Sequence, residues 1–253
     1  MSTKERPSWF LTREIHEVVS SHGAERAMHL RALYKKISRV PCPRERYLDI
    51  GAGDAMASVI FGNGFYETCL IDLKPPKKAT YKQQESVLHY IVGDACALPF
   101  IDNSFDAVSM FSLIEHVPNR HRAIREALRV LKPNGELIVQ FPNRFFCLDL
   151  HTGLPNPVFL PRRVRQKVLS RLGYGWWSNH VNIPTTKELE QWVKPSAILL
   201  GMQEVNYPPS LIPPQFHKIY KLVKKMGLLN LMPMGYICVY QKIQSSHGDT
   251  ATC

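Results

Sequence analysis

The sequence predicts an α/β protein with a doubly wound, mostly parallel sheet. Short apolar segments typical of strands alternate with segments of helical periodicity from residue 47 to residue 141. This alternation indicates a sheet with helices packed on its faces. The first strand also runs directly into a turn with two glycines, Gly51 and Gly53. Such a turn is typical of α/β folds that bind nucleotides at the carboxyl ends of parallel strands.

The composition is that of one sizeable domain. The chain has 253 residues, of which 45% are hydrophobic, enough to bury a full core and too many for global disorder. No apolar run reaches the roughly 18 residues that span a bilayer, and the N-terminal residues lack the apolar stretch of a signal peptide. The six cysteines are scattered, without metal-ligand spacing. Together these features predict a cytoplasmic protein with reduced thiols.

The net charge of +11 is the unusual bulk property. It favours an anionic partner, such as nucleic acid, an acidic membrane surface or a phosphorylated substrate. The alternative is a protein whose surface is simply basic.

Residues 1–44 are expected to form a helical cover on the domain that follows. Apolar residues recur at helical spacing through most of this segment, with charged residues between them. Three histidines in it, His16, His22 and His29, show no metal-ligand spacing. We interpret them as surface residues of the covering helix.

The turn after the first strand has the features of a nucleoside-binding turn. Its glycines let the backbone bend sharply and lie flat against a ligand, and the N–H groups at the start of the next helix point at the same place. The third glycine of the dinucleotide fingerprint is replaced by Met56, and no phosphate-loop Gly-Lys-Ser/Thr follows. The turn therefore favours a nucleoside without a pyrophosphate.

An acidic residue ends the second predicted strand. Asp72 lies about 20 residues after the glycines, the distance at which a carboxylate reaches a ribose diol in such folds. A carboxylate suits this task because it accepts two hydroxyl hydrogen bonds at once. The alternative is a helix cap or an ordinary loop acid.

Four motifs occur in the order found in one enzyme family. They are Asp49-x-Gly51-x-Gly53, the Gly-Asp-Ala turn at 93–95, the Phe-Asp strand followed by Glu-His-Val-Pro at 115–118, and residues 126–137. Together they resemble the class I (Rossmann-like) S-adenosylmethionine-dependent methyltransferases of type 11. The resemblance covers about residues 45–143 and implies a seven-stranded sheet with S-adenosylmethionine as cofactor. Ala55 stands where the family often has glycine.

The resemblance also implies which residues hold the cofactor. By this resemblance, the Asp94 carboxylate takes the adenine amino group, and the backbone N–H of Ala95 meets a ring nitrogen. The glycine turn and the acid of the second strand surround the rest of the nucleoside. The full predicted cofactor set is Asp49, Gly51, Ala52, Gly53, Asp72, Leu73, Asp94, Ala95 and Phe111.

A basic insertion follows the fifth strand, over residues 144–184. Basic residues stand close together in it, and Val164, Val168 and Leu172 form an apolar helical face opposite them. Because of its place after the fifth strand, we expect this insertion to lie over the crevice as a helical lid.

The remaining residues, 185–244, are expected to complete the core with two closing strands, followed by a flexible tail at 245–253. Between these strands lies a second insertion, an amphipathic basic helix at 215–231. Such a helix can lie in a membrane interface, while packing of its apolar face on its own domain is the alternative. The residues assigned to an anionic membrane surface are Phe216, Ile219, Lys221 and Lys225.

Methyl transfer is an in-line displacement for which the cofactor carries the reactive bond and the protein supplies positioning. No metal is required, and a general base is needed only for a neutral alcohol or an acidic carbon. The candidate bases are His116 and His151. The candidate acceptor-binding residues are Glu115, Arg144 and His180.

Three functions are consistent with these patterns. The first is a methyltransferase that acts on a small-molecule or lipid-linked, glycan-like acceptor at a membrane surface. The second is an RNA methyltransferase that uses the basic insertions; the Asn/Asp-Pro-Pro-Tyr/Phe signature is absent after the fourth strand, so RNA rests on charge. The third is a non-catalytic cofactor-binding partner subunit, against which the intact cofactor residues argue.

Overall fold

The computed structural model describes residues 23–39, 44–53, 55–74, 87–146, 160–173, 175, 181–212 and 216–244. They contain a seven-stranded sheet of order β3-β2-β1-β4-β5-β7-β6. The strands are β1 Arg44–Ile50, β2 Phe65–Asp72, β3 Val87–Val92, β4 Phe105–Phe111, β5 Leu131–Pro142, β6 Ala197–Val205 and β7 Gly235–Lys242. All neighbours pair in parallel except β7, which is antiparallel to β5 and β6. The predicted mostly parallel seven-stranded sheet is confirmed.

Helices connect these strands. They are α1 Gly23–Lys35, α2 Met56–Gly62, α3 Arg120–Val130, α4 Arg162–Arg171, α5 Thr186–Val193, α6 His217–Lys225 and α7 Leu228–Leu231. α5 begins with a capping box, in which Thr185 and Glu188 each accept a hydrogen bond from the other's backbone N–H. Over the described ranges, no helix has both the length and the apolar character needed to cross a bilayer.

The side chains of each strand alternate between two apolar layers. Leu48 and Met110 belong to the layer beneath α3 and α5, whereas Tyr47 and Ile138 belong to the layer beneath α1 and α2. The sheet is therefore covered by helices on both faces, as a doubly wound fold requires.

The strand order reverses its direction of growth between β1 and β4. In open α/β sheets a ligand crevice forms at such a switch point, outside the carboxyl ends of the strands. β6 is antiparallel to β7, as β7 is to β5, so β6 ends at this same edge. The segments that follow β1 to β6 therefore all begin at one edge of the sheet, which we call the carboxyl edge.

The sequence predicted a single helix over 215–231, but the structure has two helices there. α6 and α7 are separated at Gly227, whose φ of 71° lies in the left-handed region. Tyr220 and Val223 are buried in a small core with Phe146 and Met234. This part of the apolar face therefore packs on its own domain, as the alternative interpretation expected.

The apolar face predicted for the first insertion is also different in the structure. Val164, Val168 and Leu172 of α4 are exposed, and it is Leu169 that is buried. The position of this insertion over the crevice stays a prediction. The predicted tail, 245–253, lies outside the described residues.

The buried carboxylate of Glu136 ties the end of α1 to the sheet. It accepts hydrogen bonds from the Tyr34 hydroxyl at 2.8 Å, the Ser38 hydroxyl at 2.8 Å and the Arg39 backbone N–H at 2.5 Å. Glu136 lies on β5, opposite Ala107 of β4. The covering helix is thus fixed to the middle of the sheet by one acidic side chain.

Candidate functional site

The glycine turn lies at the carboxyl edge, directly after β1. Gly51 and Gly53 have φ values of 78° and 55°, which are left-handed conformations that glycine adopts without strain. The Gly51 N–H donates to the Ile71 carbonyl at 2.8 Å, so the turn is fixed to the end of β2. A Cβ atom at Gly53 would have no heavy atom within 4 Å, and the backbone there is open to a ligand.

Asp72 meets the glycine turn at the end of β2. Its Oδ2 accepts the Gly53 N–H at 3.0 Å, and its Oδ1 accepts the Lys74 N–H at 3.3 Å. The next residue, Leu73, is 70% exposed. A carboxylate and an exposed apolar side chain therefore stand beside the open turn.

Asp49 has a different position from the other predicted cofactor residues. Its side chain is 2% exposed and accepts hydrogen bonds from Ser58 at 2.5 Å and Ser109 at 2.6 Å. The carboxylate therefore joins β1 to α2 and β4 beneath the turn. It supports the turn from inside the fold, and a direct contact with the cofactor stays a prediction.

Asp94 lies exposed after β3, with partly exposed Ala95 beside it. Its Oδ1 accepts the Cys96 N–H at 2.8 Å, which stabilises the local turn. One oxygen of Asp94 therefore closes a turn, and the residue follows β3 at the carboxyl edge; its contact with adenine stays a prediction.

The segment after β4 packs against the glycine turn. Phe111, a predicted cofactor residue, packs on Phe61 of α2 with ring centroids 4.4 Å apart. Leu113, which the sequence analysis did not single out, lies 2.7 Å (Cδ1) from the position that a Cβ at Gly51 would take. The sequence does not reveal that Leu113 packs against Gly51, because Gly51 follows β1 and Leu113 follows β4.

The predicted catalytic and acceptor residues are only partly described. His116 Nε2 lies 4.0 Å from an oxygen of the buried Glu115 carboxylate, and Arg144 pairs with Glu188 of α5 at 3.6 Å. His151 and His180 lie outside the described residues. The roles of all five remain predictions.

α1 contributes polar side chains to this edge, which the sequence analysis did not predict. Arg26 donates to the Ser112 hydroxyl at 2.6 Å, directly after β4. His29, interpreted as a surface residue, is half-buried: its Nε2 atom is buried, and its ring lies 6.0 Å from that of Tyr207. Burial lowers the pKa of this imidazole. No signal within the local sequence distinguishes these residues from other charged positions of an amphipathic helix.

Known proteins resemble the central part of the chain. A family model described as "Methyltransferase domain" matches residues 48–139. A demethylmenaquinone methyltransferase of Renibacterium salmoninarum is 36% identical over 97 residues, 38% of this chain and 41% of that protein. The ubiquinone/menaquinone biosynthesis C-methyltransferase UbiE of Ruegeria sp. is 37% identical over 115 residues, 41% of this chain and 46% of that protein. The chain matches less than half the length of these relatives.

Solved structures share the fold over most of the chain. A protein of Pyrococcus horikoshii gives a TM-score of 0.56 at 20% identity, covering 89% of this chain and 93% of that one. A SAM-dependent methyltransferase of Methanosarcina mazei gives a TM-score of 0.53 at 17% identity, covering 84% and 98%. At such identities the similarity concerns the fold.

Residues 48–139 are thus similar to a methyltransferase domain, and the sheet has the fold of class I methyltransferases. This match agrees with the methyltransferase resemblance that the sequence motifs predicted.

The described residues fit S-adenosylmethionine. The open backbone at Gly53 admits a flat ligand, the adjacent Asp72 carboxylate can accept ribose hydroxyl hydrogen bonds, and the exposed Leu73 side chain offers an apolar surface. When bound, this cofactor supplies an electrophilic methyl group. The residues predicted to hold it are Gly53, Asp72 and Leu73, which lie together at the carboxyl edge.

Ala55 takes a conformation that suits glycine better. Its φ is 67°, and the left-handed region costs an L-residue about 1–2 kcal/mol. Glycine would relieve this strain but lose about 0.4–1 kcal/mol through the greater freedom of the unfolded chain. We expect Ala55→Gly to raise the free energy of unfolding by about 0.5–1 kcal/mol, measured by urea denaturation. Ala57→Gly, at a right-handed helical position of α2, should lower it, and equal signs for both variants would contradict the strain at Ala55.

Proposed function

We propose that this chain transfers a methyl group from S-adenosylmethionine to a ring carbon of a lipid-linked quinol at an anionic membrane surface. The acceptor class is supported by the relatives, which are named for demethylmenaquinone and for ubiquinone/menaquinone biosynthesis. The acceptor must be the reduced quinol, because the reduced ring has the electron-rich carbon that methyl transfer to carbon needs.

The lipid-linked acceptor in this proposal is supported by an exposed surface on α6 and α7. Leu222, Met226 and Leu231 are 56%, 61% and 77% exposed, and the lysines beside them on α6 are also exposed. Both helices connect the end of β6 to the start of β7, so this surface begins at the carboxyl edge, as the cofactor turn does. A protein surface that combines apolar and basic side chains suits an anionic lipid interface.

The residues assigned to the membrane change accordingly. Tyr220 and Val223 of the same helix are buried, and the side chain of Ile219 lies outside the described part of the chain. We assign the membrane contact to Leu222 and Met226, with Lys221 and Lys225 as the cationic residues beside them.

The cofactor and acceptor parts of this proposal can be tested together. Purified protein is titrated with S-adenosylmethionine by calorimetry and then incubated with methyl-labelled cofactor and a short-chain demethylmenaquinone kept reduced. We expect micromolar binding, label in the quinol, and at least a tenfold weaker affinity for Asp72→Ala, because the ribose loses a charged acceptor. Asp102→Ala, an exposed acid that precedes β4 at the opposite edge, is the matched control.

Each result has a distinct meaning. Binding without label in the quinol would reject the quinol and favour another acceptor, such as a lipid-linked sugar. Absence of cofactor binding in the wild type would reject methyl transfer by this chain alone and favour a partner subunit.

The membrane contact predicts binding to vesicles. Flotation with vesicles of phosphatidylcholine and phosphatidylglycerol should recover the wild type but not the double variant Leu222→Gln, Met226→Gln. Ile101→Gln is the control, since Ile101 is 80% exposed but precedes β4 and so lies toward the opposite edge. Equal recovery of all three proteins would overturn the assignment, and a steeply salt-dependent affinity for single-stranded RNA would favour the RNA alternative.

A further inference from the structure

The helix α4 carries a row of cations along one side. Arg163, Lys167 and Arg171 occupy every fourth position of this helix, so their side chains follow one another along a single side. All three are exposed, and none of them forms a hydrogen bond or ion pair with another described residue. α4 contains no acidic residue, and Asp149 is the single acid between residues 144 and 184. We call these three residues the cation row.

The cation row borders an open cleft. The volume of this cleft is about 500 Å³, and among the described residues its lining consists of the cation row together with Gln166 and Ser170. The two neutral side chains add an amide NH₂ group and a hydroxyl group, both of which can donate hydrogen bonds. The cleft therefore offers three positive charges and further donors to one ligand. This combination suits an anion with several oxygens, such as a phosphate.

A row of apolar side chains runs beside the cation row. Val164, Val168 and Leu172 are exposed, and each of them directly follows one residue of the cation row in the chain. We call these three residues the apolar row. An exposed apolar row next to a cationic one is the arrangement of helices that lie in a membrane interface.

The buried side of α4 determines which way the cation row faces. Leu169 is buried, and it marks the side of the helix that packs on the protein. Lys167 and Arg171 stand two positions before and after it, and such residues point about 160° apart on a helix. The cation row is therefore turned away from the protein.

The place of α4 in the chain brings it to the same edge as the proposed membrane surface. α4 belongs to the connection between β5 and α5, which leaves β5 at the carboxyl edge. α6 and α7 belong to the connection that leaves β6 at that edge. Two exposed surfaces that combine apolar and basic side chains thus begin at one edge of the sheet.

We propose that α4 is a second membrane-binding helix, whose cleft holds the phosphate of an anionic phospholipid head group while the apolar row lies among the lipids. Each arginine or lysine near an anionic membrane adds to the affinity, and no acidic residue of α4 opposes that attraction. Two linked contacts bind far more tightly than either alone, so α4 and α6 act together. This inference rests on the membrane part of the proposed function and names the lipid group that α4 recognises.

The apolar row favours a lipid over a nucleic acid as the ligand of α4. A nucleic acid needs cations for its phosphates and polar or aromatic side chains for its bases. The valines and the leucine of the apolar row are neither polar nor aromatic. A bilayer interface takes up such side chains at the depth of the head groups.

The affinity of the protein for vesicles tests this inference. Purified protein is titrated with vesicles of phosphatidylcholine and phosphatidylglycerol, and the bound fraction is measured by sedimentation. We expect the triple variant Arg163→Gln, Lys167→Gln, Arg171→Gln to bind about tenfold more weakly than the wild type, because the phosphates lose their cations. The double variant Val164→Gln, Val168→Gln should bind about threefold more weakly, because it keeps the charges but removes apolar contact.

A second triple variant is the matched control. Lys35→Gln, Lys36→Gln, Arg125→Gln removes three positive charges from exposed positions at the end of α1 and on α3. Its net charge therefore equals that of the α4 triple variant, and we expect its affinity for vesicles to stay within about twofold of the wild type. Thermal unfolding is measured for every variant, so that a folding defect is recognised.

The outcomes separate this inference from the proposed function. Vesicle binding that depends on the cation row, without label in the quinol, would support the lipid site on α4 and reject the quinol as acceptor. Label in the quinol with equal vesicle affinities of the two triple variants would overturn the lipid site alone. Loss of RNA affinity in the α4 triple variant, with unchanged vesicle binding, would overturn it in favour of a nucleic acid. Absence of vesicle binding in the wild type would overturn both membrane contacts.

Discussion

Gly51→Ala is expected to lower the free energy of unfolding by about 3–4 kcal/mol and to abolish measurable binding of S-adenosylmethionine. The φ of 78° at Gly51 costs alanine about 1–2 kcal/mol. The new Cβ would also lie 2.7 Å from Leu113 Cδ1 and 3.0 Å from its Cγ, and overpacking of this kind costs about 1–3 kcal/mol. Leu113 must then move, and the turn between it and β2 is displaced.

Gly53→Ala separates the cost of backbone strain from the cost of the clash with Leu113. Its φ is also positive, at 55°, but an added Cβ meets no heavy atom within 4 Å. Only the conformational strain of about 1–2 kcal/mol is then expected in the free protein, while cofactor affinity falls because the methyl group occupies the ligand's side of the turn. Urea denaturation and calorimetry on both variants measure the difference. Equal stability of the two variants would show that Leu113 yields without cost.

Glu136→Ala is expected to have the largest effect on stability. Three donors now satisfied by one buried carboxylate, from Tyr34, Ser38 and Arg39, would lose their acceptor inside the fold. Each hydrogen bond to a charged group is worth about 1.5–3 kcal/mol, and the three are not additive. We expect a total loss of about 3–5 kcal/mol, which lowers the melting temperature by about 10 °C in a protein of this size.

The same variant should loosen α1 from the sheet. Glu190→Ala is the control: Glu190 forms an exposed ion pair with Lys194 at 2.7 Å, and such pairs contribute less than about 1 kcal/mol. If Glu136→Ala were as stable as Glu190→Ala, the expected loss would be contradicted, and water would have to satisfy the three donors in place of the carboxylate.

The core of the fold could be predicted because its signals are local. In the helix α3, Ile124 and Leu128 stand at helical spacing in the sequence, and both are buried on the same face. The glycine turn and Asp72 were found from spacing alone, since the connection between β1 and β2 is short. In this region each residue's environment follows from its near neighbours in the chain.

The contact between Arg26 and Tyr207 could not be predicted in this way. Arg26 and Tyr207 are 181 positions apart and meet only because α1 and the end of β6 are brought to one edge. On α6, apolar residues occur around much of the helix, so the sequence alone does not determine which face is buried. Tyr220 and Val223 are inside and Leu222 is outside, a distinction that depends on Phe146 and Met234 from distant segments.

The place of β7 determines when the sheet can be finished during synthesis. β7 lies between β5 and β6 in the sheet but follows both in the chain, and its partners on β5 were made about 100 residues earlier. While a ribosome extends the chain, β5 therefore presents an open edge, and β6 emerges before the strand that it pairs with. Open edges recruit strands from other chains. The nascent protein is thus exposed to misassociation until β7 has emerged, and chaperone protection matters most in that interval.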